Sequence, residues 1–188
     1  MILYNGCLYI HIPKTGGTSL RTAMIQTRKA CMLTRIKSLD VDVVDPPNVF
    51  NPHAFLREAL PVLGLHLFTE VWKFTIVRNP WDRFVSLYYY KKEKTPFPDF
   101  LDLMISKGHT QSKYLKDSFN YVGTIETIDE DWRRIAGRLG MKVEKVPRLN
   151  RSERKDRHYS DMYTSAMVQK VRVAERRLLE RIPYRFER

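Results

Sequence analysis

The sequence predicts an α/β fold, with one domain over residues 1–188 whose central, mainly parallel sheet lies between two layers of helices. Three observations predict it. Short β-prone runs alternate with helix-patterned runs along the chain, the pattern of a parallel sheet built from strand–helix units. The run "WKFTIV" (72–77) is β-branched or aromatic at nearly every position and apolar on both faces, as a strand in mid-sheet is. A length of 188 residues with 43% hydrophobic and 12% aromatic content suits one sizeable core and argues against disorder.

In chain order, "CLYIHI" (7–12) alternates apolar residues in a short strand, and "SLRTAMIQTRKA" (19–30) carries Leu20, Met24 and Thr27 at helical spacing. "LDVDVVDPPN" (39–48) predicts a strand ended by Pro46 and Pro47. "PHAFLREALPVLG" (52–64) predicts a helix opening near Pro52 and closing before Gly64. After "WKFTIV", the segment "RNPWDRFVSLYYYKK" sets Asn79 at an N-cap, Pro80 at the first helical position and Asp82 in the first turn. Each choice suits the unpaired amides or dipole of a helix start. "NYVGTIE" (120–126) is a further strand, and "TIDEDWRRIAGRLG" opens with Thr127 and Glu130 at capping-box spacing and stops at Gly140. "VPRLNRSERKDRHY" (146–159) is a basic loop. "SAMVQKVRVAERRLLERI" repeats apolar residues at 167, 171, 174, 178 and 182 and predicts one amphipathic helix.

Charge and composition narrow the function classes. The net charge is +12, and residues 133–188 alone carry 17 Lys or Arg against 7 Asp or Glu, so an acidic partner is expected. Nucleic acid, a nucleotide, an anionic glycan and a membrane surface all satisfy that statement. No apolar run nears the roughly 20 residues of a membrane span, and no secretory signal is visible. A soluble, cytoplasmic protein without integral membrane association is expected. Cys7 and Cys31 cannot form a disulfide framework; both are expected to be packing residues.

The first strand–helix junction, "YIHIPKTGGTSLRTAM" (9–24), is the most informative stretch. Backbone amides at a helix start point into the preceding loop, and glycines let a bulky anion approach. Gly16 and Gly17 offer that freedom, Lys14 a positive charge, and Thr15, Thr18 and Ser19 hydroxyl donors. The alternative is a plain glycine turn with a solvated lysine. The loop is not the familiar triphosphate loop, whose lysine follows the last glycine; here Lys14 precedes both. A second junction, "FTIVRNPWDRFVS", adds Arg78 at a strand end and Ser86 on the following helix.

"HIPKTGGTSL" together with "FTIVRNPWDRFVSLYYY" resembles the two signatures of sulfotransferases that use 3′-phosphoadenosine 5′-phosphosulfate (PAPS). The likeness is to the carbohydrate (heparan-type 2-O-like) branch and its small bacterial relatives. It extends through "NPHAFLREAL", "YVGTIETIDEDW", "VPRLNRS" and "YRF", departing at Pro183, where relatives often have glycine. The resemblance implies a P-loop nucleotide-kinase-like fold and PAPS as sulfuryl donor, with no metal required. It implies an acceptor hydroxyl, with a glycan as the expected partner and no nucleic acid. By position it implies that Lys14, Thr15, Gly16, Gly17, Thr18 and Ser19 wrap the 5′-phosphosulfate, while Arg78 and Ser86 bind the 3′-phosphate.

Sulfuryl transfer is an in-line displacement dominated by positioning and electrostatics. Lys14 is the candidate to stabilise the leaving phosphate. A base near neutral pKa must take the acceptor proton. Among five histidines, His53 stands where the resembling carbohydrate enzymes often keep theirs, and His66 comes next. His11 is expected to be a packed strand residue; His109 and His158 lie in polar stretches. A carboxylate such as Glu58 or Glu70 has no motif support. Asn150, Ser152 and Arg154 fit either a nucleotide-covering loop or an ordinary charged surface, and Arg148, Arg151, Lys155 and Arg157 fit an anionic acceptor equally. One of Tyr88 to Tyr90 could face a cleft. Two rival functions remain at this level: a small P-loop kinase using Asp45 for magnesium, and a nucleic-acid-binding module drawn from the basic C-terminal third.

Overall fold

The computed structural model describes residues 2–4, 6–28, 53–141, 145–147 and 158–187. They gather into two compact units, Met1–Val77 with Asp117–Asn150, and Arg78–Lys116 with Arg151–Arg188. The predicted strand at 39–45, Asp45, Cys31, the helix start at Pro52 and the basic residues 148–157 lie outside the described residues.

The first unit holds the sheet. Its strands are β1 (Ile2–Tyr4), β2 (Cys7–Ile10), β3 (Trp72–Val77) and β4 (Tyr121–Thr124), in the order β1-β2-β3-β4. β1 pairs antiparallel with β2, whereas β2, β3 and β4 run parallel, so the sheet is α/β and mainly parallel as predicted. In register, Ile10 faces Thr75 and Val77 faces Thr124. β3, with a partner on each side, is the predicted central strand.

Cys7 and Tyr9 of β2 and Phe74 and Ile76 of β3 share one face, spaced by two as strand geometry requires. That face packs on Leu20, Ala23 and Met24 of α1 (Gly17–Arg28), and on Trp132, Ile135, Ala136 and Leu139 of a later helix, Ile128–Leu139. Leu8, Ile10, Thr75 and Val77, on the other face, are buried as well. β2 is therefore buried at every position instead of alternating, the pattern of an inner parallel strand.

The predicted helix over 52–64 is corrected. A 3₁₀ turn at Leu56–Ala59 leads into α2, Leu60–Glu70, which runs through Gly64 with a kink where φ is 73°. Gly64 bends the helix because it can take a left-handed φ, and Pro61, at the start, does not oppose it.

Among the described residues the second unit holds five α-helices, three between β3 and β4 in sequence and two near the end of the chain. α3 (Pro80–Lys91) starts as predicted, the Asn79 carboxamide accepting from the Trp81 and Asp82 amides at 3.1 and 3.3 Å. α4 (Phe97–Ser106) and α5 (Gln111–Tyr114), neither predicted, come next. The predicted helix over 165–182 is two, named here in chain order after α6, the Ile128–Leu139 helix: α7 (Ser165–Ala174) and α8 (Arg176–Arg181). Glu175 breaks it. Its side chain is fully buried and accepts from the Gln111 and Ser112 amides at 2.9 and 2.7 Å, which fixes its backbone away from helical angles. The core of this unit joins Trp81, Phe84, Phe97, Phe100, Met167 and Val171, with Phe186 of the tail set edge-on to Trp81. Tyr88 and Tyr89 pack against it; Tyr90 is exposed.

Candidate functional site

The carboxyl ends of β2 and β4 form the same edge of the first unit, the place where ligands meet parallel sheets. The turn after β4 is fixed by Asp131 of α6, which accepts from the Thr124 amide at 2.7 Å, the Thr127 hydroxyl at 2.8 Å and the Tyr121 hydroxyl. This arrangement replaces the predicted capping box. Thr127 gives its hydroxyl proton to Asp131 and its amide proton to the Thr124 hydroxyl at 3.2 Å, so Glu130 has no such role. Gly140 ends α6 in the left-handed region as predicted.

Against that turn lies the loop 11–16. Its shape is held by Thr15, fully buried, whose hydroxyl donates to the Ile12 carbonyl at 2.9 Å. Lys14 sits in the left-handed region at φ 68°, a conformation that costs a residue with a side chain on the order of 1–2 kcal/mol. Strain of that kind is retained where surroundings impose it, and it clusters at functional loops. Gly16 has φ 79°, and a Cβ there would fall 2.9 Å from Ile125 Cδ1.

A further constraint acts at Gly17. A Cβ at 17 would overlap the His11 imidazole. Gly17 is thus required by the His11 ring, and glycine at 16 is favoured by its left-handed φ of 79°. The first helical bond of α1 runs from the Leu20 amide to the Gly16 carbonyl, so the amides of 17–19 precede the helical ladder. The first turn of α1 carries no acidic residue, unlike α3 with Asp82 and α6 with Asp129, Glu130 and Asp131. Its positive end is not neutralised from within. Thr18 is exposed and Ser19 buried.

The structure brings His53 to this loop. Its Nδ1 lies 3.2 Å from the His11 carbonyl oxygen, and the two rings are 4.7 Å apart. His11 also stacks near Tyr9, at 6.1 Å. Burial pushes the His11 pKa down to about 3, and the neighbouring His53, Arg21 and Lys14 push the same way. A ring held neutral to that pH is a poor general base. His66 is exposed on α2, not on a partly buried apolar face as its alternative role required. Glu58 accepts from the Phe55 amide at 2.9 Å, a capping function. Cys7 is buried in the core, and burial pushes its thiol up to about 11, consistent with packing alone.

In the second unit, Arg78 is a shaped cation. Its Nε and one terminal nitrogen each lie 2.6 Å from Asp82 Oδ2, and its backbone is clamped by the Gln111 carboxamide at 2.9 and 2.8 Å. Asp82 thus aims a guanidinium as well as complementing the α3 dipole. Ser86 lies one turn beyond Asp82 and is 2% exposed. The sequence carried a signal for the Arg78–Asp82 pair, their i,i+4 spacing, which the dipole reading of Asp82 left unused. His109 and His158 are exposed, as expected.

Among the described residues no group of three or more His, Cys, Asp or Glu is placed to hold a metal ion, and no helix is long and apolar enough to cross a membrane. A family model described as the sulfotransferase family matches residues 4–118. That span takes in the loop after β2, His53, β3, Arg78 and Ser86. No curated protein matches the chain.

Proposed function

The chain belongs to the sulfotransferase family, and from that premise we propose that it moves a sulfuryl group from PAPS to the hydroxyl of a carbohydrate, without a metal, on a P-loop nucleotide-kinase-like fold. The observation that carries the proposal is local to the first unit. A lysine in a left-handed loop, the uncompensated start of α1 and a histidine beside that loop occur together at the carboxyl edge of a parallel sheet.

In this reading the loop 14–19 holds the 5′-phosphosulfate of the donor through backbone amides, Lys14 and the exposed Thr18. The acceptor oxygen attacks sulfur as the bond from sulfur to the bridging phosphate oxygen breaks. The hydroxyl proton goes to His53, and 3′-phosphoadenosine 5′-phosphate (PAP) leaves with its new charge opposite Lys14. Because that charge grows only as the bond breaks, Lys14 acts mainly on the transition state. Arg78 and Ser86 are assigned to the 3′-phosphate. A guanidinium already aimed by Asp82 suits a phosphate fork. The glycan acceptor, and the heparan-type 2-O-like branch, rest on the likeness of "HIPKTGGTSL" and "RNPWDRFVSLYYY" alone.

Calorimetric titration with PAP tests the donor assignment directly. Arg78→Ala is expected to weaken PAP about tenfold or more while leaving the analogue without the 3′-phosphate unchanged; equal weakening of both overturns the role of Arg78. Transfer from PAPS to a glycan panel is expected to continue in chelator, and strict dependence on ATP and magnesium would favour the kinase instead. His53→Ala is expected to lower kcat about a hundredfold, the lower end for loss of a general base. Full activity of that variant removes His53 from the chemistry.

A further inference from the structure

We infer that His11 is a positioning residue for His53: its main-chain carbonyl keeps the His53 proton on Nδ1, and its ring, seated where Gly17 lacks a side chain, ties His53 to the anion loop. The inference rests on the reading of His53 as the base. A backbone carbonyl only accepts, so at 3.2 Å the His53 Nδ1 must be the donor. The lone pair of the neutral ring then belongs to Nε2, and on the reading of His53 as the base that atom takes the proton. Histidine tautomers are set in this way by the partner of the other nitrogen.

The His11 ring supplies the second half. It lies 4.7 Å from the His53 ring on one side and occupies the volume a residue-17 side chain would fill on the other. It therefore transmits the position of the first turn of α1 to the base. Its burial keeps it uncharged at neutral pH, so it holds its neighbour by shape without opposing the positive charge that His53 gains during transfer. Arg21 and Lys14, two of the cations that act on His11, are on α1 and the loop themselves. The same relation adds a second reason for glycine at 17, beside the approach of an anion.

The test reads the tautomer without any turnover. Nitrogen-15 spectra of histidine-labelled protein above the His53 pKa are expected to show His53 protonated at Nδ1 and bare at Nε2. An Nε2–H ring, or the mixture of a free imidazole, overturns the inference whatever the activity. His11→Ala keeps the residue-11 carbonyl and deletes only the ring, so the Nδ1–H tautomer is expected to persist while loss of the ring contact lowers kcat roughly ten- to a hundredfold, the usual loss when a group that orients a histidine is removed, with KM little changed. His11→Phe, which keeps a flat uncharged ring, is expected to restore most of that loss. A His11→Ala protein with unchanged kcat overturns the positioning role of the ring. Should the wild-type tautomer be as stated while His53→Ala retains full activity, the assignment of the base fails, and the positioning role with it, by a result distinct from a failed spectrum.

Discussion

Replacing Lys14 by Ala is expected to lower kcat for sulfuryl transfer about a thousandfold, at the upper end of what removal of one preorganised stabilising group costs, or about 4 kcal/mol of transition-state stabilisation. PAP affinity should change less than tenfold, because the charge Lys14 meets is fully developed only as the donor bond breaks. The position of Lys14 at φ 68° allows charge and loop shape to be separated. Alanine keeps the strained conformation and removes the ammonium. Glycine removes the ammonium and also relieves the strain, with an effect on folding of about 1 kcal/mol in either direction once its larger unfolded-state entropy is counted. If charge is what matters, Lys14→Ala and Lys14→Gly lose turnover equally; if shape matters, they differ. Stopped-flow single-turnover rates with both variants make the comparison, and an alanine variant within threefold of wild type ends the catalytic assignment of Lys14.

Local signals were the legible ones. "WKFTIV" became β3 at its predicted bounds, and Asn79, Pro80 and Gly140 cap their helices as expected, because each choice answers to its own few residues. The loop after β2 was equally readable as an anion-binding candidate. What stayed hidden needed partners distant in sequence. Glu175 sits at a position that helical periodicity treats as ordinary, and only its contact with the amides at 111 and 112, more than sixty residues earlier, explains why α7 stops there. Glycine often ends a helix, yet at Gly64 the chain takes a left-handed φ and α2 resumes, running on to Glu70. The meeting of His11 with Gly17 and His53 depends on the direction of one ring at the end of a strand, for which no spacing rule exists. The ring that excludes a side chain at 17, that of His11, and the left-handed φ at Gly16 are visible only once the chain is folded.

Glu175→Ala is expected to destabilise the protein by about 3–5 kcal/mol, the cost of stripping one partner from a buried ion pair. Arg83 is 1% exposed and Glu175 fully buried, with 3.9 Å between the Arg83 terminal nitrogen and the carboxylate. Burial pushes the Arg83 pKa down and that of Glu175 up, and in each case the partner only partly opposes the shift. The pair is therefore expensive to bury, and its value lies in what else the carboxylate does. Glu175 receives the first two amides of α5, while Arg83 donates to the His109 carbonyl at 2.9 Å just before that helix. Alanine leaves the buried Arg83 without its counter-charge and two amides without their acceptor; glutamine retains one acceptor oxygen and should cost about 1–3 kcal/mol. Adding Arg83→Met to Glu175→Gln removes the stranded cation, so the double variant should be more stable than the two single losses added together. Urea unfolding of the four proteins measures that coupling. A Glu175→Ala midpoint close to wild type would mean that the ion pair and the amide cap together contribute nothing, and that the break between α7 and α8 has another cause.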